Sequence, residues 1–487
     1  LVRRERARIA REAAKHPPMQ AEGTELLVAL AALPGKLTLA DVKVLRQAVQ
    51  EDGLIVPDGI QLKRSSLWRD DALAELQPDL LAAELLHRVL GEHISNQKQI
   101  GELLWQCLAL GGGLALRERL TRLARLAWDV ARMTGRKTDL VPALIAALDA
   151  ERAQQLADVL DNNIALESPL QGLAVAVNQI LLAGLEALAR EDFATHALAL
   201  ARRLNNLSND LADNGDRSGG LEAIRRAVEI LEALAQQDFA AYESDLAMGL
   251  DNLSIRLAEC GDRQGGLAAI RRAVEIREEL VQQDFAAYGP ALAASLNNLS
   301  NRLAESGDRE GGLATIRRAA TIWEALAQQD FAAYGPDLAT SLNNLSIDLA
   351  ENGDREGGLE AIRRAVEIYD ALARQNFAVY GPDLASSLHN LSIRLAESAG
   401  GLAAIRRAVA IWEALAQQSH AAYAPLLANS LAVLAKHLAK GDEHAAAITL
   451  LERSIPMIEP FVLPNTTYQN WYNAMQADLR AYQTRAT

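Results

Sequence analysis

Aromatic side chains are scarce in this chain. Phe, Trp and Tyr together make up 4% of 487 residues, although half of the sequence is hydrophobic. The apolar content is mostly Ala and Leu, which favours helix over strand. Cysteine is nearly absent, and Cys107 and Cys260 have neither metal-ligand nor disulfide spacing. Such usage suits a reducing cytoplasm. An excess of positive charge is missing too. The net charge of −14 argues against a general nucleic-acid binder, which needs a basic surface. No run of about 18 apolar residues is found, so no membrane-spanning segment is expected. The phosphate-cradling pattern G-x-x-x-x-G-K-[ST] does not occur, and GGGLALRE from Gly111 lacks the Lys and hydroxyl that hold phosphate and magnesium. No ATP hydrolysis is therefore expected. The eight His are scattered, with His87 and His93 six apart and no Cys beside them. That pattern predicts no catalysis, no metal and no cofactor. The opening LVRRERARIAREAAK reads as a charged helix rather than a signal peptide. The absent initiator Met suggests a piece of a longer protein.

What the chain does have is repetition. Leu207, Leu253, Leu299, Leu345 and Leu391 are each 46 residues apart. GDR recurs at Gly215, Gly261, Gly307 and Gly353, and an Arg pair begins at Arg225, Arg271, Arg317 and Arg363. The fifth pair, at Arg406, follows after 43 residues because ESAGGLAAI has lost three turn residues. A period of this size predicts a solenoid, whose units cannot bury their apolar faces alone. One unit divides into helix A, residues 336–352, and helix B, residues 355–375. Pro336 suits a first helical turn, Gly353 suits a left-handed cap, and NFAVYGPD reads as the linker to the next unit. Phe193, Phe239, Phe285, Phe331 and Phe377 share one register in that linker, each followed three residues later by Tyr or, at the first copy, His196. One scarce aromatic per unit predicts a plug in the seam between units. Trp323 and Trp412 fall on packing positions of helix B. The Arg pairs predict surface ion pairs at i,i+4, such as Arg225–Glu229, Arg271–Glu275 and Glu360–Arg364.

The pattern resembles the tetratricopeptide repeat. Leu342, Leu345, Ser346 and Leu349 match its packing positions on helix A, and Gly358, Ile362 and Ala365 match the small, large and small positions on helix B. The unit exceeds the usual 34 residues, in which respect it looks like the kinesin light chain type of repeat. The resemblance implies an all-α, right-handed α-solenoid, with a groove lined by the free side of each A helix.

At about 100° per residue, Asn344 lies opposite the Leu342–Leu349 stripe. Its equivalents are Asn206, Asn252, Asn298 and Asn390. An amide offers both a donor and an acceptor, so it can pair with peptide backbone whatever the side chains are. Packed helices stand roughly 8–10 Å apart and an extended chain rises about 3.3 Å per residue. Such a row would meet an extended chain about every third residue. Tetratricopeptide grooves that clamp peptides carry Asn at this position. The alternative is that the Asn row stacks one helix on the next. Around it lie Ile255, Asn301 and Ile347, then Glu305 and Glu351 in an acidic row that also includes Asp213, Glu259 and Glu397. This combination predicts a polypeptide partner with basic residues. His389 takes the place of the first Asn of its pair and reads as a groove or flank residue.

The N-terminal third does not repeat. After a helical linker (1–21), residues 22–92 read as two helices, a hairpin in LIVPDGIQLKR with Asp58-Gly59 at the turn, and a further helix after Pro78. Helices followed by a small hairpin resemble a winged helix. A winged helix joined to tetratricopeptide repeats resembles the carboxy-terminal part of bacterial STAND-type signalling ATPases, whose core precedes it. Irregular helix pairs (93–190), the repeats (191–455) and a capping helix (456–487) complete the expected organisation. The expected function is a cytoplasmic protein-interaction module. The alternatives are the sensor arm of such an ATPase and, more remotely, a winged-helix transcription regulator that uses Lys43, Arg46, Lys63 and Arg64.

Overall fold

The computed structural model describes the chain except residues 1, 18, 35, 50–54, 70, 75–78, 95, 111–112, 135–138, 161–167, 396–398, 419, 463–466 and 487. Two compact units divide it, Leu1–Gly220 and Leu221–Thr487.

The first unit opens with α1 (Val2–Lys15), α2 (Ala21–Leu30), β1 (Lys36–Leu37), α3 (Leu39–Val49), α4 (Gly59–Arg64), β2 (Trp68–Arg69) and β3 (Ala72–Ala74). The three short strands form an antiparallel sheet in the order β1-β3-β2. α5 (Asp79–His93) packs against α1 and α2, and Arg6 joins all three through Glu25 and Glu92. Leu26, Leu27, Leu30, Leu85 and Leu86 are fully buried in this core. The hairpin expected at Asp58-Gly59 is not there. The Asp58 carboxylate accepts the N–H groups of Ile60 and Gln61 at 2.9 and 2.8 Å, and the Gln61 side chain accepts the Asp58 N–H at 2.8 Å. This reciprocal cap starts a helix, and the hairpin falls one element later, between β2 and β3.

The unit continues through α6 (Gln97–Ala109), α7 (Gly113–Thr134), α8 (Leu140–Ala146), α9 (Ala150–Leu160), α10 (Ser168–Glu191) and α11 (Phe193–Asp213). The stretch Leu170–Glu191 of α10, contrary to the sequence expectation, is long and apolar enough to cross a membrane by length and composition, although Gln171, Asn178, Gln179 and Glu186 interrupt its apolar run. It packs against α9 and α11. α12 (Arg217–Gln237) spans the boundary between the units.

The second unit alternates A and B helices: α13 (Phe239–Glu259), α14 (Arg263–Gln283), α15 (Phe285–Ser306), α16 (Arg309–Gln329), α17 (Phe331–Glu351), α18 (Arg355–Gln375), α19 (Phe377–Arg394), α20 (Ala399–Gln418), α21 (His420–Lys440) and α22 (His444–Ile458). From α13 onward each packs on the helix that follows it. α23 (Thr467–Ala486) lies against α22, with Lys436 of α21 3.3 Å from Asp478. The A-to-B turns place Gly261, Gly307 and Gly353 at φ of about +90°, the left-handed region that favours glycine. Gly266, Gly312 and Gly358 mark the closest helix crossings, where an added Cβ would stand 2.9, 3.2 and 2.9 Å from the carbonyl oxygens of Ser254, Ser300 and Ser346. Leu342, Ser346, Leu349, Gly358, Ile362 and Ala365 are buried as expected, but Leu345 is only half-buried.

Helix A begins earlier than Pro336. Asp330 ends α16 and also caps α17, its carboxylate accepting the Ala333 N–H at 3.0 Å. Asp284 and Asn376 do the same at their junctions. The eight-residue linker read from the sequence is thus a single residue, and Pro336 sits inside the helix. This early start brings each Phe onto its own A helix. The Phe331 ring lies over Gly335, where a Cβ would stand 3.3 Å from it, and the five Phe remain 37–44% exposed. They do not plug the seams. Tyr334 and Tyr423 reach buried Trp323 and Trp412 instead, with ring centroids 6.2 and 5.8 Å apart.

The ion pairs also run differently from the i,i+4 expectation. Arg364 reaches back 40 residues to Glu324 at 2.6 Å rather than to Glu360. Arg272–Glu232, Arg318–Glu278, Arg407–Asp370 and Arg453–Glu413 repeat the arrangement. The second Arg of four successive copies, and Arg453 after them, therefore ties its B helix to the preceding one.

Candidate functional site

Two adjacent positions on each A helix of the second unit have different surroundings. The first residue of each Asn pair faces the next A helix. Asn297 Oδ1 accepts from the Ser341 hydroxyl at 3.0 Å, and His389 Nδ1 lies 3.0 Å from Ser430 Oγ. At the same position Asp251 accepts from the Ser295 hydroxyl at 2.8 and 2.9 Å.

The second position is the predicted Asn row. Asn252, Asn298, Asn344 and Asn390 are all half-buried, as is Asn206 in the first unit. Asn390 donates to Asn343 Oδ1 of the preceding copy at 3.1 Å. The side chains of Asn298 and Asn344 make no hydrogen bond among the described residues. Beside them Ile255 and Ile347 are half-buried, and Asn301 is exposed.

The acidic row is largely compensated. Glu305 pairs with Arg302 at 2.9 Å, Glu259 with Arg256 at 2.8 Å, and Glu351 lies 4.0 Å from Arg309. Glu397 falls outside the described residues. Asp337 and Asp383, about two helical turns before Asn344 and Asn390 on α17 and α19, make no ion pair or hydrogen bond among the described residues. Both are open to solvent yet hemmed in by protein, and burial pushes both carboxyls above the usual range. Between them lies Tyr369 of α18, whose hydroxyl is 2.6 Å from Thr340 Oγ1 and donates to the Pro336 carbonyl at 3.0 Å. Desolvation raises this phenol, and the charges of Asp383 and Asp337 raise it further. The sequence reading passed over this pair of Asp. Their spacing of 46 residues was the available signal.

It also passed over a buried charge pair. Arg277 of α14 contacts the Asp251 carboxylate and Ser295 Oγ, and donates to the Ala291 carbonyl at 3.0 Å. Asp251 and Arg277 are each 8% exposed. Burial pushes the Asp251 carboxyl upward, against the pull of Arg277. The other copies hold Asn205, Asn297, Asn343 and His389 in place of Asp251, and Leu231, Trp323, Tyr369 and Trp412 in place of Arg277. The paired departure in one copy was visible in the aligned repeats.

A family model described as tetratricopeptide repeat matches residues 246–287 and 338–372. The fold is a tetratricopeptide-type helical repeat. Among solved structures, the chain is similar to BtubC (BKLC) from P. vanneervenii, at 18% identity over 50% of this chain and 93% of that one, with a TM-score of 0.41. It is similar to a kinesin light chain-type protein with nearly identical TPR-like repeats from Podosopora anserina, at 15% identity over 46% and 98%, with a TM-score of 0.36. The apo form of RapI is similar at 13% identity over 64% and 97%, with a TM-score of 0.44. No curated protein sequence matches the chain.

Proposed function

We propose that the open face of the A helices in the second unit binds a polypeptide partner in extended form and that the chain itself catalyses nothing. Asn298 and Asn344 hold the partner's backbone, with Asn252, Ile255, Asn301 and Ile347 beside them. Asp337 and Asp383 favour basic side chains, as uncompensated carboxylates do. One observation carries this reading: among the described residues the amides of Asn298 and Asn344 are unpaired, whereas Asn297 is bonded across the seam. Each amide–backbone pair contributes about 0.5–1.5 kcal/mol net. Replacing both Asn298 and Asn344 with Ala should therefore weaken binding of peptides selected on the unaltered protein by roughly 5- to 150-fold and leave melting unchanged. Normal binding by a variant that melts several degrees lower would make the second Asn a stacking residue.

A second reading concerns the first unit. We read the order α2, β1, α3, α4, β2, β3, with β1 paired to β3, as a winged helix, which favours the sensor arm of a STAND-type ATPase acting in the cytoplasm. Lys43, Lys63 and Arg64 are exposed there and Arg46 is half-buried, so a DNA-reading role rests on few cations. The gene sequence upstream of Leu1 tests the ATPase reading, since a phosphate-binding core must be encoded there.

A further inference from the structure

Near-identical repeats create a difficulty for their own folding. A B helix of one copy offers the same apolar surface as its counterparts 46 residues away, so burial alone discriminates poorly between correct and shifted docking. The seam between α13–α14 and α15 differs from the others. Arg277 replaces an aromatic or Leu, Asp251 replaces an amide or imidazole, and both are buried. Ser295 joins them across the seam, its hydroxyl accepting from Arg277 and donating to Asp251.

We propose that Asp251, Arg277 and Ser295 form a seam-specific lock that fixes the order in which the repeats dock. The physical reason lies in the penalty for error. Ser341, Ser387 and Ser430 recur where Ser295 stands, so the serine alone names no seam. The carboxylate does. Docking α14 in any other register leaves the Arg277 guanidinium buried against an amide or imidazole, and a buried ion without its partner is strongly disfavoured. Register specification is the best-attested use of buried polar groups. The lock is independent of the peptide-binding face, because neither buried side chain is available to a partner.

The test combines unfolding with refolding. Asp251→Asn and Arg277→Trp install residues that other copies carry. Each alone strands one member and should lower the folding equilibrium constant of the array by roughly 150- to 5,000-fold. Together they rebuild the third copy's chemistry and should recover most of that loss. The double variant, refolded from urea at increasing protein concentration, should yield shifted or exchanged dimers by size exclusion and native mass spectrometry, where the unaltered chain yields monomer. A second variant keeps the original pair and duplicates it one copy later: Asn297→Asp with Trp323→Arg, where Ser341 already waits. It should also refold to mixed species, because a lock present twice no longer names one seam. The idea is overturned if the single losses simply add in the double variant. Clean refolding of both the double and the duplicated variant overturns it equally. Should the double variant not fold, the duplicated one decides alone.

Discussion

His389 offers a quantitative check of the seams. It occupies the first position of the pair, where three other copies carry Asn, with Nδ1 3.0 Å from Ser430 Oγ on α21. Burial pushes its imidazole from the ordinary 6.5 down to about 4. The unfolded chain therefore takes up a proton near pH 6.5 while the native seam refuses one until about pH 4. Between those values the unfolded state binds more protons, so stability falls as pH falls. The full difference corresponds to about 3 kcal/mol. The ring is only half-buried, so solvent screening leaves roughly 1–2 kcal/mol. His437 is also lowered, by burial and then by Lys440, and adds in the same direction. Asp337, Asp348 and Asp383 are raised by burial and slope the opposite way. The difference between the unaltered chain and His389→Asn isolates the imidazole, since Asn can still pair with Ser430. Hydrogen exchange of the α19–α21 amides between pH 7.5 and 4.5 reads the local opening. Protection should fall with pH in the unaltered chain and clearly less in His389→Asn. Equal slopes would refute the argument that a neutral imidazole is built into this seam.

Other substitutions separate the packing contacts by size. Leu342→Ala should destabilise the array by roughly 2–5 kcal/mol in urea melts, because the side chain is 1% exposed, and Leu345→Ala should cost clearly less. Gly358→Ala drives a Cβ to 2.9 Å from the Ser346 carbonyl and should melt lower than Gly353→Ala, which meets open space and suffers only from its φ of +89°. Arg364→Ala breaks an exposed link to Glu324 and should shift stability by at most about 1 kcal/mol, shrinking further in high salt.

Helix B was legible almost to the residue. Residues 355–375 were read as one helix and α18 spans Arg355–Gln375, because a Gly-Asp turn, an Asp cap and an uninterrupted apolar period agree there. Helix A was legible in its second half only. Gly335-Pro336 carries the composition of a turn, yet the Asp330 cap and the Phe331 ring folded over Gly335 extend the helix past it. That geometry depends on a neighbour five residues away, which local propensity does not see. The aspartate at residue 58 shows the same ambiguity, since Asp-Gly serves a hairpin or a helix cap and only Gln61 decides between them. For the Asn row, helical periodicity separated the packed from the free face. It set Asn298 opposite the packed stripe, but the bond from Ser341 to Asn297 across the seam depends on where the next helix sits and was not legible. The ion pairs were misassigned for a related reason: spacing along one helix reports i,i+4 neighbours, whereas Arg364 finds its acid on the preceding B helix.

The one-residue junctions at Asp284, Asp330 and Asn376 restrict how such a chain can change length. A residue that ends one helix and caps the next has no slack, so an insertion there would rotate every following helix by about 100° and turn buried faces outward. The A-to-B turns carry no such double duty, and the step of 43 rather than 46 residues falls in one of them. Length variation is therefore channelled to a single edge of the array. A sensor peptide, a tag or a crosslinkable loop grafted after Gly307 or Gly353 should leave the seams and the Asn face intact, whereas the same graft at Asp330 should dismantle both.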